Sequence, residues 1–158
     1  TVANGMSSFT AQNIGAGKEE RVSKGFKAGV IMALIVALPF FIVYFFFGDT
    51  VLKLFLNIDS KEAFDTGREF LKIIAPFFLV ISIKFMGDAV LRGAGAMGWF
   101  MITTFASLLI RIILAFVLSK TMDTTGIWLA WPIGWTLGMI LSFIFYIMGV
   151  WKGKLRLS

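Results

Sequence analysis

Four stretches of this chain stay apolar long enough to predict helices that cross a bilayer. Residues 28–47, AGVIMALIVALPFFIVYFFF, run without a charge, and as a helix they would span about 30 Å, the thickness of a hydrocarbon core. Three further apolar stretches cover 69–91, 99–119 and 127–151. The second contains Lys84 and Asp88, the third contains Arg111, and the fourth carries no charge. None alternates strictly with period two, so barrel strands are not expected. The first stretch is internal, too long for a signal peptide, and lacks a small-residue cleavage pattern. Pro39 predicts a kink in it, which membrane helices tolerate.

The intervening segments complete the expected layout. Residues 1–27 read as a loop with room for the end of a preceding helix. Residues 48–68 form an outer loop in which VLKLFLNI, too short to span, lies on the membrane surface. Asp59 and Glu62 have capping-box spacing, which starts the second helix near Ser60 and projects it about two turns beyond the membrane. Residues 92–98 form a turn, 120–126 an outer loop and 152–158 a tail.

Composition narrows the class. Hydrophobic residues make up 58% of the 158 positions and charged ones 15%, against about 45–50% and about 25% in soluble domains. A water-soluble globule is therefore excluded. The chain has no Cys and no His, which removes disulfides, thiolate metal sites and the commonest general base. Only isolated Asp, Glu, Ser and Lys remain for chemistry, so no enzyme and no cofactor is expected.

The net charge of +6 is a topology signal. The segments 1–27, 92–98 and 152–158 hold eight basic and two acidic residues, whereas 48–72 and 120–126 hold five basic and six acidic. By the positive-inside rule both chain ends lie in the cytoplasm. Trp99 and Trp151 then fall at cytoplasmic ends, and Tyr44, Trp128 and Trp131 at outer ends, as aromatic belts do. With no soluble face to gather the basic residues, no nucleic-acid partner is expected.

Several motifs have a plain and a sharp reading. Gly93 to Gly98 matches G-x-G-x-x-G, but membrane helices flank it, so a tight cytoplasmic turn replaces a dinucleotide site. Gly15-Ala16-Gly17-Lys18 fails as a P-loop, because Gln12 and Glu19 stand where Gly and Ser or Thr are needed. Gly134 and Gly138, flanked by Ala130 and Ser142, make a small-residue stripe suited to packing within the same polypeptide. Lys84, Asp88 and Arg92 share one helix face. They read either as a substrate or ion pathway or as a self-neutralising pair with Lys84 snorkelling. Phe78, Ser82 and Phe85 form the adjacent stripe. Thr104, Ser107 and Arg111 form a polar stripe on the third helix, with Arg111 read as a structural or substrate-contacting group.

FTAQNIGAGKEERVSKG, a second helix ending in DAVLRGAGAMG, then LLIRIILAFVLS and TTGIWLAWPIGW, resemble multidrug and toxic compound extrusion transporters (MATE, NorM/DinF type). The resemblance covers essentially the whole chain. It implies an all-α integral membrane protein whose four transmembrane helices form part of the C-terminal lobe of a twelve-helix transporter. It further implies that a chain starting at Thr1 is a C-terminal fragment, with the N-terminal part of the same transporter as its partner. Members export cationic or amphipathic small molecules in exchange for protons or sodium by alternating access. An inner or plasma membrane of a bacterium or archaeon is the implied location, with membrane lipids as further partners. Lys84, Asp88, Arg111, Phe78, Ser82, Phe85 and Thr104 become pathway candidates. Gln12, Asn13, Gly15, Gly17, Arg92, Gly93 and Gly95 become turn or hinge candidates. Some members carry a coupling carboxylate about three turns before the LRG motif; here Ile81 occupies that region and Asp88 does not inherit the role. Lys84 beside a cationic substrate is awkward, which keeps open a lipid-linked or polysaccharide precursor flippase. A four-helix membrane scaffold is the alternative from another class.

Overall fold

In a computed structural model, residues 1–55 and 61–152 are described. Among them the regular structure is helical. The helices are α1 Val2–Gly15, α2 Glu19–Phe46, α3 Gly48–Lys53, α4 Lys61–Ile74, α5 Phe77–Gly93 and α6 Met97–Met148, followed by a 3-10 turn at Val150–Lys152. The segment 1–27, expected to be mainly loop, is helical except around residues 16–18. Its polar residues disguise it: they lie on α1 and on the first two turns of α2, where Glu19 and Glu20 favour the positive end of the helix dipole. The expected cap at Asp59, and its start near Ser60, lie outside the described residues. So does the end of VLKLFLNI, whose beginning forms the C-terminal half of α3.

Helix α2 runs for 28 residues with Pro39 inside it, about 42 Å at the usual rise. The stretch expected as one helix from 69 to 91 is two, α4 and α5, bent by 47°. Pro76 is at the break. It donates no N–H, and its ring excludes the carbonyl four residues earlier.

Helix α6 is 52 residues long but folds back on itself at Asp123, whose φ of 49° and ψ of −130° leave the helical region. The 97–122 and 124–148 arms are antiparallel. A Cβ on Gly126 would lie 2.4 Å from the Leu118 carbonyl oxygen and one on Gly134 3.1 Å from that of Ser107. Further along, the Trp99 and Phe145 rings meet edge to face at 4.7 Å. Gly126, Ala130, Gly134, Gly138 and Ser142 recur every fourth residue and are all buried, so small side chains let the two arms approach closely. The segment 120–126 therefore holds a single-residue reversal rather than a loop.

Two GAG sequences end helices in the same way. Gly17 N–H donates to Ile14 O and Lys18 N–H to Asn13 O; Gly95 N–H donates to Arg92 O and Ala96 N–H to Leu91 O. These are paired Schellman caps. The second glycine of each has φ near +70°, at 69° and 74°, a conformation costly for any residue with a Cβ. The first glycines differ. A Cβ on Gly93 would lie 2.2 Å from Ser7 O on α1, while Gly15 faces open space.

Helix α5 is central, packed against α1, α2 and α6. The core beneath the GAG turns joins Met6, Val22, Phe26, Met86, Val90, Leu91, Phe145 and Trp151. Elsewhere the apolar surface is turned outward. Ile35, Phe46, Phe116 and Ile147 are each about two-thirds exposed. Only 11% of the most apolar window of α2, and of α6, is buried. Helices this apolar and this uncovered belong in a hydrocarbon environment.

The unequal glycines give a test. Gly93→Val should cost about 1–3 kcal/mol through overpacking against the α1 backbone, read as a lowered thermal midpoint of the purified protein. Gly15→Ala should be near neutral. Equal effects would refute a close α1–α5 contact.

Candidate functional site

The candidate residues of α5 divide between two faces. On the α6 side, Lys84 Nζ donates to Asp88 Oδ2, and both side chains are more than nine-tenths buried. The pairing follows from their i, i+4 spacing on a helix. The Thr103 hydroxyl shares its one proton between the other carboxylate oxygen, Oδ1, at 3.1 Å and Phe100 O at 2.8 Å. One turn further along α6, Ser107 Oγ donates to Gly134 O at 2.8 Å. A Cβ on Gly138 would lie 2.5 Å from Lys84 Cε and 3.0 Å from Ser107 Oγ, and one on Gly87 2.3 Å from Ser142 Oγ. The glycines thus open the room that the lysine stem and the serine occupy. Ser142 Oγ is buried without a hydrogen-bond partner among the described residues.

Phe78, Ser82 and Phe85 point the other way. With Phe40 and Tyr44 of α2 they line an open cleft of about 390 Å³ between α1, α2 and α5. Tyr44 and Phe78 are in contact, ring centres 5.6 Å apart. Ser82 Oγ donates to Phe78 O at 2.7 Å, so its hydroxyl is satisfied along its own helix. The cleft is consequently greasy and aromatic, while the charges of α5 are turned away from it.

Arg111 joins neither face of α5. It is half-buried, its guanidinium 4.6 Å from the centre of the Trp131 ring on the facing arm of α6, and Trp131 meets Trp135 edge to face at 5.8 Å. A cation over an indole is favourable away from water. Thr104 is exposed on the outside of α6; Thr103 takes the inner place. One residue is about 100° of helix rotation, and residue type alone does not choose between adjacent threonines. Thr103 is the member that sequence reasoning missed, and Ser142 enters that reasoning only as part of the packing stripe. The i, i+4 step from Thr103 to Ser107 was the available signal for the first.

At the GAG end, Asn13 Nδ2 donates to Phe9 O at 2.8 Å and Gln12 is exposed. The Arg92 guanidinium lies 5.4 Å from the Phe100 ring centre, with Nε buried and unpartnered among the described residues. At the opposite end, Arg68 of α4 clamps Asp49 of α3 through two hydrogen bonds, Nε to Oδ1 at 2.6 Å and Nη2 to Oδ2. The Arg68 donors hold the Asp49 carboxyl below its ordinary range. Among the described residues no three His, Cys, Asp or Glu are grouped to hold a metal ion.

Long apolar helices left uncovered, with a charge pair kept inside the bundle, define an integral membrane protein. The chain belongs to the MatE family, whose model matches residues 1–117. Two relatives from Bacillus subtilis (strain 168) are similar along nearly all of it. The probable multidrug resistance protein YoeA is 27% identical over 152 residues, 94% of this chain and 32% of that protein. The probable multidrug resistance protein YpnP is 29% identical over 148 residues, 93% of this chain and 33% of that protein. The chain thus spans about a third of the length of these relatives. No solved structure matches it.

Two outcomes check the geometry. Lys84→Met or Asp88→Leu alone should cost about 3–5 kcal/mol by stranding a buried charge. The double variant should regain most of the folded yield; a double variant no better than either single one would contradict a self-contained pair. The second concerns the α3–α4 clamp. Asp49 is more acidic in the fold than in the unfolded chain, so its contribution is complete above the ordinary aspartate pKa and is lost as pH falls through the lowered folded value. Label distances between α3 and α4 should therefore hold from pH 7 to pH 4 and lengthen at lower pH. Arg68→Gln should abolish that step.

Proposed function

We propose that the chain is the C-terminal part of a secondary active efflux antiporter that moves cationic or amphipathic small molecules in exchange for protons or sodium. The MatE match, with two relatives named as probable multidrug resistance proteins, carries this reading. In it, α2, the bent α4–α5 pair and the two arms of α6 are four spans of the C-terminal lobe of a twelve-helix transporter. The GAG turns and both chain ends are cytoplasmic, in a bacterial plasma membrane. Alternating access by movement of one lobe against the other is the physical expectation for transporters built from repeats.

The cleft of Phe40, Tyr44, Phe78 and Phe85 supports an aromatic or amphipathic cargo, because flat apolar surfaces accept many molecules without strict geometry. Lys84 does not oppose a cation there: its charge is spent on Asp88, and neither residue lines the cleft. Lys84, Asp88 and Arg111 are in this reading the polar groups of the lobe interior, and Thr103 joins them.

The test is efflux of a cationic dye from vesicles containing the complete protein. Dye should leave under an imposed proton or sodium gradient, and collapsing that gradient should stop it. Failure under both gradients would overturn the antiporter reading and favour the precursor flippase.

A further inference from the structure

A second groove runs along the outside of the bundle, between α2, α5 and the 124–148 arm of α6, with a volume of about 630 Å³. Its walls include Val30, Ile31, Ile83, Met139, Ile140 and Phe143, and its one charged lining residue is Lys27 at the GAG end. This volume falls within the range of small-molecule sites. Lys27 has no acidic partner among the described residues. Its neighbour one turn earlier, Lys24, is engaged with Glu20 at 2.7 Å.

A second cation lies at the same end. Phe26, which also lines the groove, stacks on Tyr146 with ring centres 4.1 Å apart, and Tyr146 stacks on Trp151 at 5.7 Å. Lys152 Nζ sits over that indole, 5.4 Å from its centre. The aromatic stack ties Trp151 to α2 through Tyr146 and Phe26, which fixes the Phe26 wall of the groove, while Lys152 lies beyond the stack and outside the groove lining.

An apolar trough with one cation in its lining, unpaired among the described residues, complements a molecule with an apolar chain and an anionic head. We propose that this groove seats one anionic phospholipid, its acyl chain along Val30, Ile140 and Phe143 and its phosphate on Lys27. An inorganic anion would have no use for the trough, and a zwitterionic lipid would gain less from Lys27. The site shares no lining residue with the cleft that lines the transport reading, and it does not depend on that reading.

The experiment uses the complete protein, purified in mild detergent, and native mass spectrometry of retained lipid with phosphatidylglycerol and phosphatidylcholine as probes. Wild type should retain one phosphatidylglycerol in preference to phosphatidylcholine. Lys27→Gln should reduce that preference about fivefold, the effect expected of one basic residue at a lipid surface, while Lys27→Arg keeps it. Ile140→Trp, at a partly exposed position, should reduce retention of both lipids. Arg21→Gln, outside the groove on the same helix, should change little. An equal loss with Arg21→Gln would reduce the effect to general surface attraction and overturn the site. Equal retention of both lipids by wild type, or no retained lipid because another part of the protein fills the groove, would overturn it as well.

Discussion

The buried Lys84–Asp88 pair is the constraint around which the rest of this bundle is arranged. Charges taken from water are costly unless each is met by a partner and its remaining hydrogen-bonding capacity is used. The pair forms within one turn of α5, but its neutrality alone is not enough. Thr103 of α6 supplies the second carboxylate oxygen with a donor, and Gly138 admits the lysine stem. Both requirements force the α6 hairpin close to α5. The hairpin can comply because Gly126, Gly134 and Gly138 keep its own arms close together, and because Asp123 reverses the chain in a single residue. A larger residue in that stripe would disturb the hairpin and the charge pair at once.

The same economy governs the ends of the helices. Backbone groups near an apolar slab must find partners inside the protein. The two GAG sequences do this with identical caps, each placing its second glycine at positive φ. Their first glycines have separated in use. Gly93 lets the α1 backbone lie directly on α5, which closes the bundle from the side of the chain's beginning, whereas Gly15 meets nothing. A repeated sequence thus makes a repeated local structure and only one tertiary contact.

These packings leave α5 with a polar face turned into α6 and an aromatic face open to a cleft. The separation lets one helix carry charge in an apolar environment and still present a greasy surface. It also divides residues that look contiguous in sequence. Ser82 and Lys84 are two positions apart, yet one lies against the cleft and the other against Gly138.

The sequence by itself determined what depends on local composition and short spacing. The apolar runs announced membrane helices, the i, i+4 spacing announced the Lys84–Asp88 pair, and the glycines announced turns and a packing stripe. These follow from the helical repeat and from the conformational freedom of glycine, which need no distant partner. Tertiary structure decided the rest. It decided that α1 is a helix packed under α5, that the second apolar run bends at Pro76, that Thr103 and not Thr104 completes the ion pair, and that Arg111 rests on Trp131. Each of these depends on which face meets which neighbour, and that is set by contacts between residues tens of positions apart, where a rotation of one residue exchanges inside for outside.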